Sequence, residues 1–589
     1  MTDPIKFYKQ ELEKHKTEVV SHRKRLLLLS ALRLLAFAIT GIAVYFTFSK
    51  WQIAMVIGLL GIGVFIYLLS KYTDTKAKRE LHKALLKINT EELKIASGEF
   101  HDRDTGLQFQ DPKHFYSLDV DLFGKGSFFQ YINRTISSEG QHRLSNALKA
   151  NKISNIEERQ DAIIELSEKT KWTQFYAATG SLIETETPAS KIIYWLKNHK
   201  SFIPKEMKWA PWIVTIISVA LLIMAIFNVL DISFFGYWLF VGLGFTGLYL
   251  KKINALAINS DKTKDTFKQY ASLLLQIENE EFKSKLLQEK QKKIQSEGNK
   301  ASEIFSEFSK HLDALDNRNN LIGAIFGNGY LLSDIKNAYK VEQWISKYAH
   351  KVEDWFEVVS FFDAYNSLGN YTFNHVEHVF PEISNGKTII KAENLGHPLL
   401  TKTKRVNSDV VIGNKQFFIV TGANMAGKST FLRTVSLHIM MANVGLPVCA
   451  KSSSYSPVKL ITSMRTSDSL TDDSSYFFSE LTRLKFIVDA IEKEPYFIIL
   501  DEILKGTNST DKAIGSRKFV EKLVAGNATG IIATHDLSLC EISNELDEVK
   551  NYYFDAEIVD DELYFDYKFK KGICQNMNAS FLLKKMEII

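Results

Sequence analysis

Four long stretches of the chain are almost wholly apolar, and they come in two pairs. A helix of about 20 apolar residues crosses the ~30 Å hydrocarbon layer of a membrane, because it satisfies its own backbone hydrogen bonds. Short polar turns at Ser49-Lys50 and at Asp231 separate the members of each pair. The pattern therefore predicts two transmembrane helical hairpins, with pairs of buried core helices as the alternative. The four predicted helices cover about residues 26–48, 51–70, 210–230 and 232–250.

Basic residues flank the open ends of both hairpins and predict their orientation. Lysine and arginine concentrate on the cytoplasmic side of membrane helices, so we expect both termini and all large segments to be cytoplasmic. We expect a multi-pass protein of the inner (cytoplasmic) membrane of a prokaryote. Arg33 lies near the amino-terminal end of the first apolar stretch, where snorkelling to the lipid headgroups is favoured over a functional ion pair. The flanking residues are Arg23, Lys24, Arg25, Lys71, Lys76, Lys78, Arg79, Lys205, Lys208, Lys251 and Lys252.

The remainder of the chain changes character at about residue 389. Before it, segments such as Ile156–Glu168 repeat apolar residues every three or four positions, which is typical of amphipathic helices. After it, short β-rich runs alternate with helical stretches, which predicts a parallel sheet flanked by helices. The runs are Val410–Ile412, Phe417–Thr421, Tyr496–Leu500 and Gly530–Thr534.

These patterns divide the chain into five segments. Residues 1–80 contain the first hairpin, and residues 201–252 contain the second. Residues 81–200 and 253–388 are predicted to be the two parts of a helical domain. Residues 389–589 are predicted to be an α/β domain.

The composition changes this picture only slightly. With 45% hydrophobic and 24% charged residues among 589, the chain is not a disordered tail, a collagen-like fibre or a disulfide scaffold. The mean hydropathy of −0.10 averages four apolar stretches with a charged body. Three scattered cysteines indicate a reducing compartment. The net charge of +5 is explained better by the basic residues at the hairpin ends than by nucleic-acid binding.

A phosphate-binding loop follows the run Phe417–Thr421. Its sequence matches G-x-x-x-x-G-K-[ST] and stands between a predicted strand and a predicted helix. Backbone N–H groups of such a loop close around phosphate oxygens. Lys428 is expected to bridge the β- and γ-phosphates of ATP, and the Ser429 hydroxyl to ligate Mg²⁺. The candidate nucleotide-binding residues are Gly422, Asn424, Met425, Ala426, Gly427, Lys428, Ser429 and Thr430.

Two later strands end in residues that suit ATP hydrolysis. Asp501 follows one strand and is expected to orient the Mg²⁺ shell, and Glu502 can polarise the attacking water as a general base. His535 follows the other strand, in a position to sense the γ-phosphate. The expected catalytic residues are Lys428, Glu502 and His535, and the expected Mg²⁺ ligands are Ser429 and Asp501.

Together these motifs resemble the MutS family of ABC-type ATPases. Residues 421–430 read TGANMAGKST, which is similar to the family's TGPNMGGKST. Residues 501–509 read DEILKGTNS, which is similar to its DE-x-x-[RK]-G-T-[SN]-[TS]. The resemblance covers about residues 115–200 and 253–589. It implies a P-loop ABC-type ATPase domain, with ATP and Mg²⁺ as cofactors, joined to a mainly helical core and lever domain.

Further site residues are implied only by this resemblance. Residues 468–480 resemble the family's signature segment, which reaches the nucleotide of the opposite subunit, so Ser475 is expected to act in trans. Asp473 replaces the usual glycine there, and an acidic side chain is expected to slow hydrolysis. His397 lies in a segment that resembles the one holding the adenine. Residues 572–586 resemble the carboxyl-terminal dimerisation helices, which implies a homodimer through the ATPase domain.

The resemblance leaves the output of the ATPase open. Mismatch-recognition members begin with a DNA-reading domain, whereas this chain opens on a hairpin, so we expect a membrane-anchored variant without that domain. One hypothesis is binding of double-stranded DNA on the cytoplasmic side, with lysines of a charged helical arm contacting phosphates. Interleaved glutamates favour an ordinary solvated face for those lysines. The lysines are Lys283, Lys285, Lys290, Lys292 and Lys293.

The second hypothesis is an ATP-driven conformational machine that acts on the membrane or on a protein partner without recognising DNA. A transporter is a third and weaker one, since the four apolar stretches lack an obvious polar lining. In either case we expect the second hairpin to occupy the region where family members place a DNA clamp at the end of long levers.

Overall fold

The computed structural model describes residues 3–185, 187–295, 300–316, 321–465, 476–559 and 562–575. The first predicted hairpin consists of two very long helices, α1 (Pro4–Thr47) and α2 (Trp51–Ala96), which pack along one another. Both are long and apolar enough to cross a membrane. Each continues well beyond its apolar stretch, over residues 4–25 and 71–96. These polar extensions connect the hairpin to the rest of the protein.

Arg33 makes a contact that the sequence did not predict. Its guanidinium carbon lies 5.2 Å from the ring centroid of Phe65 and 5.1 Å from that of Tyr72, both on α2. Cations are attracted to the faces of aromatic rings. The arginine therefore helps to hold the two helices of the hairpin together.

The helical body is organised around one long helix, α14 (Ser333–Asn374). With 42 residues it is about 63 Å long. Most of its carboxyl-terminal half is buried against shorter helices. The other helices of the body are α3 (Phe128–Ile132), α4 (Ser138–Lys149), α5 (Ile156–Glu168), α6 (Thr170–Ser181), α7 (Ala189–Asn198), α10 (Leu250–Asn279), α11 (Lys285–Lys292) and α12 (Ala301–Asp316).

The second predicted hairpin forms α8 (Ala210–Ile226) and α9 (Ile232–Gly247), and a third apolar helix, α13 (Leu321–Leu331), packs on both. The Ser218 hydroxyl donates to the Tyr330 carbonyl at 2.9 Å and accepts from Trp238 Nε1 at 2.9 Å. These bonds join all three helices. Along the chain, α13 follows α12 and precedes α14, so the long helix α14 begins at this apolar bundle. The described residues there include no separate clamp.

The helix α8 is shorter than the predicted span 210–230. It ends at Ile226 because Asn228 adopts a left-handed conformation (φ 54°) and the Val229 N–H donates back to the Met224 carbonyl at 2.8 Å. Its 17 residues reach about 26 Å, short of the ~30 Å hydrocarbon layer. The helix α9 meets α10 at a bend of 64°. By length and composition, two described helices suit a membrane crossing, or three if this bent pair counts as one.

The carboxyl-terminal domain is built on a six-stranded sheet. Five of its strands are parallel, and one edge strand is antiparallel. Among the described residues of the domain, the α-helices are α15 (Lys428–Val444), α16 (Tyr476–Ile491) and α17 (Ser509–Ala525), and residues Leu537–Asn544 form a 3-10 helix. In spatial order the strands are β12 (Lys570–Lys571), β9 (Val549–Phe554), β4 (Phe417–Gly422), β8 (Thr529–Ala533), β7 (Tyr496–Asp501) and β6 (Lys459–Ser463).

A second, four-stranded sheet corrects one prediction. The run Val410–Ile412 was assigned to the parallel sheet but lies in an antiparallel pair of this second sheet. The run is apolar enough for a strand, yet its sequence does not specify which strand it pairs with. In spatial order the strands are β1 (Glu382–Ile383), β5 (Ser452–Tyr455), β2 (Thr388–Leu395) and β3 (Ser408–Gly413). A separate pair consists of β10 (Glu557–Val559) and β11 (Glu562–Tyr564).

Candidate nucleotide-binding site

The loop between β4 and α15 is shaped by residues with unusual backbone angles. Gly422 has no room for a side chain, because a Cβ atom would lie 2.7 Å from the Phe554 carbonyl oxygen. Met425 and Gly427 adopt left-handed angles of 65° and 106°. No side chain caps the amino terminus of α15. Its first N–H groups therefore point into the loop, where they can bind an anion.

Lys428 is folded back into this loop. Its side chain is buried, and Nζ donates to the carbonyl oxygens of Gly422 at 2.8 Å and Ala423 at 3.0 Å. Burial lowers the pKa of Lys428, while the carboxylates of Asp501 and Glu502 act to raise it. The ammonium group thus occupies the centre of the loop, where a phosphate can replace the carbonyl oxygens as its partner.

Ser429 and Asp501 meet across the carboxyl edge of the sheet. The Ser429 hydroxyl donates to Asp501 Oδ2 at 2.7 Å. Two oxygen ligands of one octahedral Mg²⁺ lie about 2.9 Å apart, since each bond is about 2.0–2.1 Å long. The pair therefore fits a magnesium ion that is shared with nucleotide phosphates.

Glu502 follows Asp501 with a left-handed backbone (φ 51°), and its N–H donates to the Ala533 carbonyl at 2.9 Å. Nitrogen atoms surround its carboxylate: Lys512 Nζ at 3.6 Å, Lys505 Nζ at 3.7 Å and His535 Nε2 at 4.0 Å. A left-handed backbone is strained for a residue other than glycine, and such strain is typical of functional positions. The conformation places the carboxylate beside His535 and the loop.

His535 links the carboxylate to the loop lysine. Its Nε2 lies 3.3 Å from Lys428 Nζ. Burial lowers the pKa of His535, and the positive charge of Lys428 lowers it further. The neutral ring is therefore favoured, and a neutral ring nitrogen can accept a hydrogen bond from the ammonium group.

A cavity of about 400 Å³ opens beside the loop. His397 lines it, as the proposed role in adenine binding requires, and burial lowers the pKa of His397 to about 4. The aromatic rings of Phe431, Phe554 and Tyr567 line it too. Sequence reasoning missed these three rings. Phe431 directly follows the loop motif, but Phe554 and Tyr567 come from remote segments that carry no motif.

The other predicted site residues divide into two groups. Ala426 is buried and Thr430 lines the cavity, whereas Asn424 and Met425 point outward, Met425 with 78% of its surface exposed. Ser475 and Asp473 lie outside the described residues, as do residues 576–589 of the predicted dimerisation segment.

Three of the five lysines considered for DNA contacts are paired with glutamates of the same chain. Lys285 Nζ lies 3.0 Å from Glu158, Lys290 Nζ lies 2.6 Å from Glu357, and Lys293 Nζ lies 3.9 Å from the same Glu357. These pairs connect α11 to α5 and α14. The arrangement favours a role in helix packing over phosphate contacts.

Comparison with known proteins places this site in a described family. The family model for MutS domain V matches residues 418–585. A stretch of 205 residues is 34% identical to "MutS protein homolog 4" of Homo sapiens and covers 33% of this chain and 21% of that protein. Another, of 219 residues, is 33% identical to "DNA mismatch repair protein MutS" of Methanococcoides burtonii and covers 36% and 24%. The chain thus spans about a fifth to a quarter of the length of these relatives.

Proposed function

We propose that this chain, whose residues 418–585 match the family model for MutS domain V, is a membrane-anchored ATPase of the MutS family that binds and hydrolyses Mg·ATP. Lys428 would contact the β- and γ-phosphates, and Ser429 and Asp501 would hold the metal ion. When bound, Mg²⁺ neutralises charge that develops on the phosphates. Glu502 would draw a proton from the attacking water.

One observation carries this proposal. The Ser429 hydroxyl lies 2.7 Å from Asp501, and the Lys428 ammonium lies inside the same loop. The positive charge and the pair of oxygen ligands thereby lie beside a cavity of about 400 Å³, which the adjacent residues Gly427 and Thr430 line. This combination suits a nucleoside triphosphate whose base enters the cavity.

Nucleotide binding is tested by titrating purified protein in detergent with a fluorescent ATP analogue. Lys428→Ala removes charge-assisted hydrogen bonds worth about 1.5–3 kcal/mol, so we expect affinity to fall about 10- to 150-fold. Lys493→Ala is the control, because Lys493 is exposed just before β7, at the amino-terminal ends of the strands and away from the nucleotide loop. Equal affinities of the two variants would contradict the assignment.

The membrane anchor rests on the apolar surface of α1 and α2. Side chains along both helices are mostly exposed, for example Leu34 at 70% and Phe37 at 71%. Uncovered apolar surface of this extent is unfavourable in water. The basic residues near the open end would orient the hairpin with its turn on the non-cytoplasmic side of the membrane.

Single cysteines test this orientation, since the three native cysteines are buried. Lys50→Cys, in the turn, should react with an impermeant maleimide added to intact cells. Glu13→Cys, on the polar part of α1, should react only after permeabilisation. The reverse pattern, or a soluble protein after fractionation, would rule out the proposed anchor.

The output of the ATPase is proposed to pass through α14. Val448, which follows α15, pairs with Val379, which follows α14. Two backbone hydrogen bonds of 2.8 and 3.0 Å join the two residues. The other end of α14 adjoins the apolar bundle of α8, α9 and α13. Motion of the nucleotide loop would thus reach the second hairpin along one continuous helix. This path is the observation that favours a machine acting on the membrane or a partner.

DNA binding is the second candidate, and it rests on the names of the relatives. ATPase rate and binding are measured with homoduplex, mismatched and branched DNA at low and high salt. Salt-sensitive binding with a raised ATPase rate would establish DNA as a ligand. No binding at low salt would favour the membrane or partner machine.

We also propose that the ATPase domains form a homodimer in which Ser475 of each chain reaches the nucleotide on the other. Light scattering tests this with Glu502→Gln, which should hold ATP without hydrolysing it. ATP should double the mass of Glu502→Gln but leave Lys428→Ala unchanged. A monomer in saturating ATP would contradict the dimer.

A further inference from the structure

A cluster of metal-ligating side chains lies outside the nucleotide site, where the polar extensions of α1 and α2 pack together. His15, Glu18 and His22 occupy positions three and four residues apart on α1, so they share one face of that helix. His82 faces them from α2. Glu18, His22 and His82 each offer one ligand atom, and these atoms all lie within 4.8 Å of one another.

The contact between His22 of α1 and His82 of α2 follows from the register of the whole hairpin. Thr40 packs on Gly61, and Arg33 lies over Tyr72. Continued toward the polar end, the same antiparallel register brings His22 opposite His82, whose rings stack with centroids 5.4 Å apart. The cluster is therefore fixed by helix packing along the full length of α1 and α2.

The distances suit a small divalent ion. Bond lengths of about 2.0–2.2 Å and tetrahedral angles place zinc ligands about 3.4 Å apart. Rotations of the three side chains that move their ligand atoms by about 1 Å would reach this spacing. Two imidazoles and one carboxylate form a common zinc ligand set that leaves a fourth position for water.

His15 supplies an outer partner. Its Nδ1 lies 3.0 Å from His82 Nδ1, so one of the two nitrogens carries a hydrogen and donates a hydrogen bond to the other. If His82 donates, its Nε2 keeps a lone pair for a metal. On the other side, His15 Nε2 lies 3.5 Å from Glu11 Oε2. A metal-ligating histidine usually donates its second N–H in this way, which fixes its orientation.

We propose that Glu18, His22 and His82 bind a divalent transition-metal ion, with zinc as the best match, and that His15 orients His82. His22 lies about 6 Å along the helix from Leu26, where the apolar stretch begins. At the base of the hairpin, Tyr8 donates to Asn374 at 2.6 Å and Glu92 pairs with Arg134. The ion would clamp α1 to α2 between the apolar spans and these contacts.

The test uses full-length, untagged protein in detergent, stripped of metal with a chelator. Zinc binding is measured by competition with a chromophoric chelator, and ligand type by the visible absorption of the Co²⁺-loaded protein. We expect one ion per chain and absorption typical of four-coordinate Co²⁺. His22→Gln and His82→Gln should lose stoichiometric binding, and His15→Gln should weaken it about 10- to 100-fold.

His311→Gln is the matched control. His311 also stands four residues after a glutamate on a helix, with Nε2 3.6 Å from Glu307, but it lies outside the cluster. It should bind zinc like the unmodified protein. Absence of stoichiometric zinc in the unmodified protein, or equal binding by His22→Gln and His311→Gln, would overturn the proposal. The ATPase rate of each variant reports folding, and its outcome is independent of the metal result.

Discussion

Glu92 fastens the first hairpin to the helical body, and its replacement has a calculable effect. Its side chain is 2% exposed; it forms an ion pair with Arg134, whose Nη2 donates at 3.1 Å, and accepts from Asn374 Nδ2 at 3.0 Å. Burial lowers the pKa of Arg134, but Glu92, Tyr8 and Tyr131 together raise it above its usual value, so the guanidinium stays charged. Glu92→Gln keeps the shape but leaves a buried guanidinium without its counter-charge. Breaking a buried pair in this way costs about 3–5 kcal/mol.

Hydrogen exchange followed by mass spectrometry measures the effect locally. At about 1.4 kcal/mol per tenfold change, protection of residues 85–95 should fall about 100-fold or more. Strand β4 in the ATPase domain should keep its protection. The neighbouring Glu91→Gln is the control, because Glu91 is 32% exposed and lies 3.9 Å from Arg103. A surface pair of this kind is worth about 1 kcal/mol or less.

A double variant separates charge from packing. Adding Arg134→Gln to Glu92→Gln removes the unpaired charge, so it should restore part of the lost protection. If Glu92→Gln loses no more protection than Glu91→Gln, the buried pair does not hold the hairpin to the body and the reasoning is refuted.

Two further variants probe the ATPase domain. Gly427→Ala places a side chain on a backbone with φ 106°, and its Cβ lies 3.1 Å from the Tyr567 ring. This costs about 1–3 kcal/mol, so ATP affinity in a fluorescence titration should fall about tenfold. Unchanged affinity would contradict this prediction. His438, whose Nε2 lies 2.9 Å from the Ser453 hydroxyl, has its pKa lowered by burial to about 4. As the pH falls from about 6.5 to about 4, the His438 ring takes up a proton in the unfolded chain but not in the folded one. The free energy of unfolding therefore drops by up to about 3 kcal/mol in that window. His438→Gln should flatten the dependence of the melting temperature on pH, and an unchanged slope would disprove the link.

The nucleotide loop was predictable from the sequence because its chemistry is local. Residues 422–430 need glycines, a lysine and a hydroxyl at set spacing, and a buried strand before them. The base cavity was not predictable to the same degree. Phe554 and Tyr567 reach it only through the order of strands in the sheet, which no local pattern records.

The apolar segments show the same division. Helices over residues 26–48 and 51–70 follow from their composition, but the extension of α1 to Pro4 and of α2 to Ala96 depends on contacts with the helical body. The helix α13 was missed because a helix of eleven residues is too short to predict a span. It is identified only by its packing on α8 and α9.

The histidine cluster was also missed. Along the sequence, His15, Glu18 and His22 stand among lysines and glutamates and were assigned no role. Only the hairpin register, set by apolar contacts such as Thr40 on Gly61, brings His82 to them. Long-range register is a property of two helices together and is absent from either one alone.

The central claim is that this site hydrolyses ATP, and steady-state turnover of Glu502→Gln tests it most directly. The control is Glu492→Gln, which changes an exposed glutamate just before β7, at the amino-terminal ends of the strands. Loss of a general base should lower turnover about 10²- to 10⁴-fold while ATP affinity is retained. Turnover of Glu502→Gln equal to that of Glu492→Gln would contradict the account.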